Sequence, residues 1–128
     1  WLEMGKKEGA KMPKVFYVNW FRKSPSGKWL WPGFGENSRV LKWMCERVDG
    51  NVGARETPIG LQPVEGDLDL KGLDIPAEDW AELMAVDIPS WECESKDVEE
   101  YLETFGEKLP PRLAAQLDAL KARIAAAK

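Results

Sequence analysis

Residues 28–41 read K-W-L-W-P-G-F-G-E-N-S-R-V-L, and the rest of the chain is organised around them. Two tryptophans, a phenylalanine and two glycines crowd a loop that Pro32 stiffens, and the loop runs straight into an amphipathic segment. Large apolar rings in a Gly/Pro loop build a core poorly and a flat binding surface well. Glycines on both sides of Phe34 let a ligand approach the main chain closely.

Immediately upstream, Lys14–Phe21 is dominated by β-branched and aromatic residues. That composition predicts a strand, apolar on both faces and so central in a sheet, delivering Phe21 to the aromatic neighbourhood. Arg22–Gly27 (R-K-S-P-S-G) is a turn by composition, and Lys28–Trp31 returns as a short strand. A hairpin with a basic tip and aromatic arms is the simplest picture. Farther up, Pro13 blocks a helix. Trp1–Met12 looks like a last helical turn and its exit loop, which suggests a chain cut from a longer one.

Downstream, Asn37 or Ser38 is expected to cap a helix over Arg39–Val48. Val40, Met44 and Val48 form one row there, with Leu41 and Cys45 beside it, which is core spacing. Asp49-Gly50-Asn51 ends the helix, and its N-terminal end offers free N–H groups to the loop. Thr57–Val64 carries two prolines and predicts an edge strand or an irregular crossing. Helical pieces follow at Pro76–Val86, within Pro89–Phe105, and at Pro110–Ala127. Leu113, Leu117, Leu120 and Ile124 recur at a/d-like intervals in the last of these. The expected fold class is mixed α/β: an N-terminal strand and hairpin with the aromatic loop, then mainly helices. The division falls near residue 55, with strand, loop and helix in 1–55 and an extended crossing plus helical tail in 56–128.

Composition narrows the chemistry. At 128 residues the chain fits one domain with a modest core. Histidine is absent, which removes Ser-His and Cys-His nucleophile systems and the commonest metal ligand. Cys45 and Cys93 form no C-x-x-C motif and are expected as two buried thiols. No run approaches the roughly 20 apolar residues of a membrane span, so a cytoplasmic protein is the default. Residues 1–55 hold 11 Lys/Arg against 5 Asp/Glu, a net of +6, and residues 56–128 hold 7 against 17, a net of −10. A basic half that also carries the aromatic loop favours an anionic ligand such as a phosphate-bearing one. Basic and acidic halves that face each other, or are each solvated, fit equally.

The residues V-N-W-F-R-K, then G-K-W-L-W-P-G-F-G-E-N-S-R-V-L-K-W-M, closely resemble the C-terminal part of GTP-dependent phosphoenolpyruvate carboxykinases. T-P-I-G, L-D-L-K-G-L and the acidic helical tail are similar to the same family, so the resemblance covers nearly the whole chain. It implies part of a nucleotide-binding domain in an enzyme that converts oxaloacetate and GTP to phosphoenolpyruvate, CO2 and GDP in gluconeogenesis. A divalent metal, manganese or magnesium, assists that reaction. For these residues the resemblance implies the guanine pocket. Phe21 and Phe34 match the rings that sandwich the base, Trp29 matches a third aromatic where the family often has Phe, and Asn37 matches the residue reading the guanine edge. The backbone of Phe34, Gly35, Glu36 and Asn37 surrounds that edge. The family's P-loop with its reactive cysteine, its metal ligands and its oxaloacetate-binding arginines have no counterpart here, and no G-x-x-x-x-G-K-[ST] occurs. The partner implied is the remainder of such a chain, with no nucleic acid and no membrane, and the segment alone is expected to lack carboxykinase activity.

Physical chemistry supports a base pocket without the family. Stacking on an aromatic face contributes roughly 1–3 kcal/mol per base and tolerates any base, whereas telling guanine from adenine needs directional groups such as a carboxamide. Other readings stand beside this one. Trp20, Trp31 and Trp43 read as core, Asn37 reads simply as a helix cap, and Arg22, Lys23 and Lys28 either attract phosphates or form a solvated turn. A non-catalytic nucleotide- or sugar-binding module, or an interaction domain built on the last helix, are the alternatives by class.

Overall fold

A helix grows directly out of the aromatic loop. The computed structural model describes all 128 residues, and in it Phe34–Glu36 form a single 3-10 turn that continues into α1, Asn37–Asp49. Gly50 ends α1 in the left-handed conformation at φ 81°, with its N–H on the carbonyl of Glu46. A short antiparallel hairpin follows, β1 (Arg55–Thr57) against β2 (Gly60–Gln62), in register Thr57 to Gly60. Then come α2 (Ala77–Met84), α3 (Ile88–Glu103) and α4 (Pro111–Ala126). Four helices and one two-stranded sheet make the chain mixed α/β in class. No helix is long and apolar enough to cross a membrane.

The expected central strand is extended but unpaired. No backbone–backbone hydrogen bond involves residues 14–20. A strand exists only by virtue of a neighbour, and the chain's two other strands pair with each other. The segment instead runs antiparallel along α1. Lys14 donates from Nζ to the carbonyl of Arg47 at 2.6 Å, on the open end of that helix, and Phe16 meets Trp43 edge-on at 5.9 Å. Its even-numbered side chains (Phe16, Val18, Trp20) are partly covered, while Val15, Tyr17 and Phe21 face solvent. The expectation of two apolar buried faces fails on the odd one.

Other expectations shift for local reasons. Helix α1 starts two residues early and its N-cap position is Glu36, with no side-chain cap; Asn37 is therefore the first helical residue and caps nothing. The buried side chain of α1 is Trp43, whereas Leu41, Cys45 and Val48 are exposed. Cys93 is exposed and free as well, so neither thiol is buried. T-P-I-G is the turn of a hairpin, because Pro58 suits its first corner and Gly60 takes φ 129°. The leucine stripe of α4 is used internally in part, with Leu113 left exposed. Leu117 and Ile124 are buried where α4 lies antiparallel on α3, and buried Ser95 lets the two backbones approach. Lys121 pairs with Glu99 at 2.5 Å and Lys128 with Glu92 across the same seam.

Seven side chains in all are buried, and the accessible surface is 9618 Å². A closed globular monomer of 14.5 kDa has about 6,900 Å². With that excess go large apolar side chains left exposed, Val15, Tyr17, Phe21 and Phe34 among them.

Candidate functional site

The site is built from one hairpin and the turn that follows it. Ser24 donates its N–H to the carbonyl of Lys28 at 2.8 Å, and Leu30 donates to that of Arg22 at 3.0 Å, closing Arg22–Leu30 around the turn at Pro25–Gly27. Lys23 and Trp29 face each other across it. This pairing sets Phe21 beside Trp29, ring centroids 5.9 Å apart and nearly edge to face. Phe21 is 73% exposed and Trp29 51%. Leu30 and Trp31, next in sequence, turn inward and are buried.

Phe34 projects from the 3-10 turn and is 92% exposed, stacked on no other ring. Gly33 before it has φ 121°, a conformation that a side chain would resist, and this places the ring at the corner. Full exposure of a phenylalanine is unfavourable unless something covers it. Asn37 lies one turn on, and its Oδ1 accepts a hydrogen bond of 2.8 Å from the indole Nε1 of Trp31. Glu36 is paired with Arg39 at 2.5 Å, and Arg39 also donates to the carbonyls of Asp69 and Lys71. That clasp fastens the 69–71 loop beneath the start of α1.

The basic residues of the hairpin are committed to protein groups. Lys23 sits 4.1 Å over the ring of Trp29. Arg22 donates to the carbonyls of Leu83 and Ala85. Lys28 pairs with Asp79, and that hydrogen bond outweighs the opposing effect of desolvation and raises its pKa above the ordinary 10.5. The basic and acidic halves thus meet, at the hairpin and α2.

A concavity of about 450 Å³ lies elsewhere, among Arg55, Pro63, Glu65, Trp80 and Met84. The aromatic loop forms an open surface, with Phe21 and Trp29 in mutual contact and Phe34 apart from them. No group of three or more Cys, Asp or Glu side chains could hold a metal ion, so a divalent cation does not fit the residues present. Sequence reading missed the Trp31–Asn37 hydrogen bond, for which the short spacing of the two in a Gly/Pro loop was the available signal.

In class the chain is a mixed α/β segment that leaves apolar surface uncovered and presents an aromatic loop to solvent. Comparison with known proteins makes this specific: residues 1–123 match the family described as phosphoenolpyruvate carboxykinase C-terminal P-loop domain. The chain belongs to that GTP-dependent phosphoenolpyruvate carboxykinase family. It is 50% identical over 127 residues to the phosphoenolpyruvate carboxykinase (GTP) of Corynebacterium glutamicum, covering 99% of this chain and 21% of that protein. It is 51% identical over 129 residues to that of Neocallimastix frontalis, covering 99% and 21%. With the mitochondrial enzyme of Homo sapiens it shares 49% over 125 residues, 97% of this chain and 19% of the relative. The chain therefore spans about a fifth of the length of these relatives.

Proposed function

We propose that this chain supplies the guanine-base pocket of a GTP-dependent phosphoenolpyruvate carboxykinase. In the complete enzyme oxaloacetate and GTP become phosphoenolpyruvate, CO2 and GDP, a reaction of gluconeogenesis, in the cytoplasm. The observation that carries this reading is the exposure of three rings, Phe21, Trp29 and Phe34, in the stretch that leads into Asn37, whose carboxamide oxygen is held by Trp31 and whose NH2 group has no protein acceptor. Phe21 and Phe34 stack on the two faces of the base, Trp29 lines its edge, and Asn37 with the backbone of Gly35 and Glu36 reads its polar rim. Rings contribute affinity that is indifferent to the base, and directional groups contribute the choice.

Phosphoryl transfer and decarboxylation belong to residues of the longer polypeptide, together with the manganese or magnesium ion that would neutralise phosphate charge. Residues 1–128 are the C-terminal part of its nucleotide-binding domain, with the pocket in 1–55 and the helical tail in 56–128. The test is isothermal titration of the complete polypeptide with GTP. Phe34→Ala should weaken binding by about 10- to 100-fold, which is one lost stacking face. It should leave the thermal midpoint unchanged, because the ring makes almost no contact within the chain. An unaltered affinity in Phe34→Ala would remove the proposal.

A further inference from the structure

We infer that Trp31 is a positioning residue for base recognition: its indole N–H holds the Asn37 carboxamide so that the amide's NH2 group meets the edge of a bound purine. The inference rests on the guanine-pocket reading and adds the atom that does the discriminating. An indole nitrogen can only donate, so the Asn37 atom 2.8 Å from Trp31 Nε1 must be the carbonyl oxygen. The amide's orientation is thereby fixed by chemistry.

Trp31 cannot readily turn away. It is buried and packs on Trp20, with ring centroids 6.3 Å apart. Asn37 is already helical, at φ −60° and ψ −28°, and its side chain is not used for capping. No protein group accepts from its Nδ2, whose two hydrogens are left for a ligand. Such a partner is not automatic for a buried indole, since Nε1 of Trp43 is buried with none.

A fixed NH2 donor pairs with the ring carbonyl of a 6-oxopurine. Opposite a 6-aminopurine it meets another donor, and both groups lose their hydrogen bonds to water without replacement. Without the indole, the carboxamide can rotate by half a turn and accept from that amino group instead. Trp31 therefore acts on the ratio of the two affinities.

The experiment titrates the complete polypeptide with GTP and with ATP, in wild type, Trp31→Phe, Asn37→Asp and Phe34→Ala. Trp31→Phe keeps an aromatic ring and removes the N–H; the preference for GTP over ATP should narrow about ten-fold, the worth of one directional hydrogen bond. Asn37→Asp keeps an acceptor for Trp31 and replaces the donor by an anionic oxygen. Its GTP affinity should fall more than about ten-fold while ATP loses less, moving the ratio toward one. If Trp31→Phe does not fold, Asn37→Asp decides. A wild-type ratio in either folded variant, with Phe34→Ala weakening both nucleotides, overturns the positioning role and leaves the pocket standing. Indifference of Phe34→Ala to both nucleotides overturns the pocket and this role with it.

Discussion

Arg22 donates from Nη1 to the carbonyl of Ala85 at 2.9 Å and to that of Leu83 at 3.1 Å, so the residue following Phe21 closes the open end of α2, 61 positions away. The last carbonyls of a helix lack partners within it, and Arg55 serves Met84 beside them at 2.7 Å. With Lys28 on Asp79, both arms of the aromatic hairpin are tied to one helix. Arg22→Ala should destabilise by about 1.5–3 kcal/mol, the range for hydrogen bonds from a charged group. Arg22→Lys should recover part of it. Chemical denaturation of the complete polypeptide measures the loss, and amide exchange at Lys23–Leu30 should quicken in parallel if the tie holds the hairpin.

The second tie has a defined pH window. Lys28 has its pKa raised by Asp79 in the folded state. Its contribution is therefore fully present below the unfolded value of 10.5 and is lost as pH rises through the raised folded value. The difference in thermal midpoint between wild type and Lys28→Met should be flat across neutral pH and shrink in strong alkali. A difference that vanishes at neutral pH would contradict the assignment.

Trp29→Phe should be mild. The ring keeps its edge contact with Phe21 and loses a larger face on which Lys23 rests, and an exposed cation–π contact is worth about 0.5–1 kcal/mol. GTP affinity should change by no more than about five-fold. A loss as large as that of Phe34→Ala would make Trp29 a stacking face rather than an edge.

Ile124→Ala tests the tail. Ile124 is 2% exposed at the α3–α4 seam, and truncation of such a residue costs about 2–5 kcal/mol. The thermal midpoint should drop while GTP affinity per folded molecule stays at the wild-type value, since the seam lies on other elements than the hairpin. Ser95→Leu should destabilise similarly, by overpacking the seam.

How far the sequence could be read depended on where each residue finds its partner. The 3.6-residue period placed four helices because helical hydrogen bonds close within the segment; Gly50 marked one terminus for the same local reason. The Arg22–Gly27 turn was legible from Pro25 and Gly27. Lys14–Phe21 was not legible as it stands, because a strand's partner lies elsewhere and composition cannot say whether one is at hand. Asn37 looked like a cap because that role needs only neighbours, whereas its actual bond is to Trp31 across the loop. The roles of Arg22 and Lys28 were hidden by distance, their acceptors lying 51 to 63 positions on. Of the candidate pocket, the residue types were visible in sequence; the separation of Phe34 from the Phe21–Trp29 pair was not.

The alternation along Val15–Trp20, even side chains partly covered and odd ones outward, restricts which length changes this region tolerates. In extended backbone a shift of one residue exchanges the two faces. With Lys14 held on the end of α1, loss of Val15 would carry Phe16 to the solvent face and bring Tyr17 to the position that meets Trp43. Loss or gain of two would keep the faces and move only the reach of the tether. Length variation here should therefore come in pairs, while the turn at Pro25–Gly27 is free of that parity.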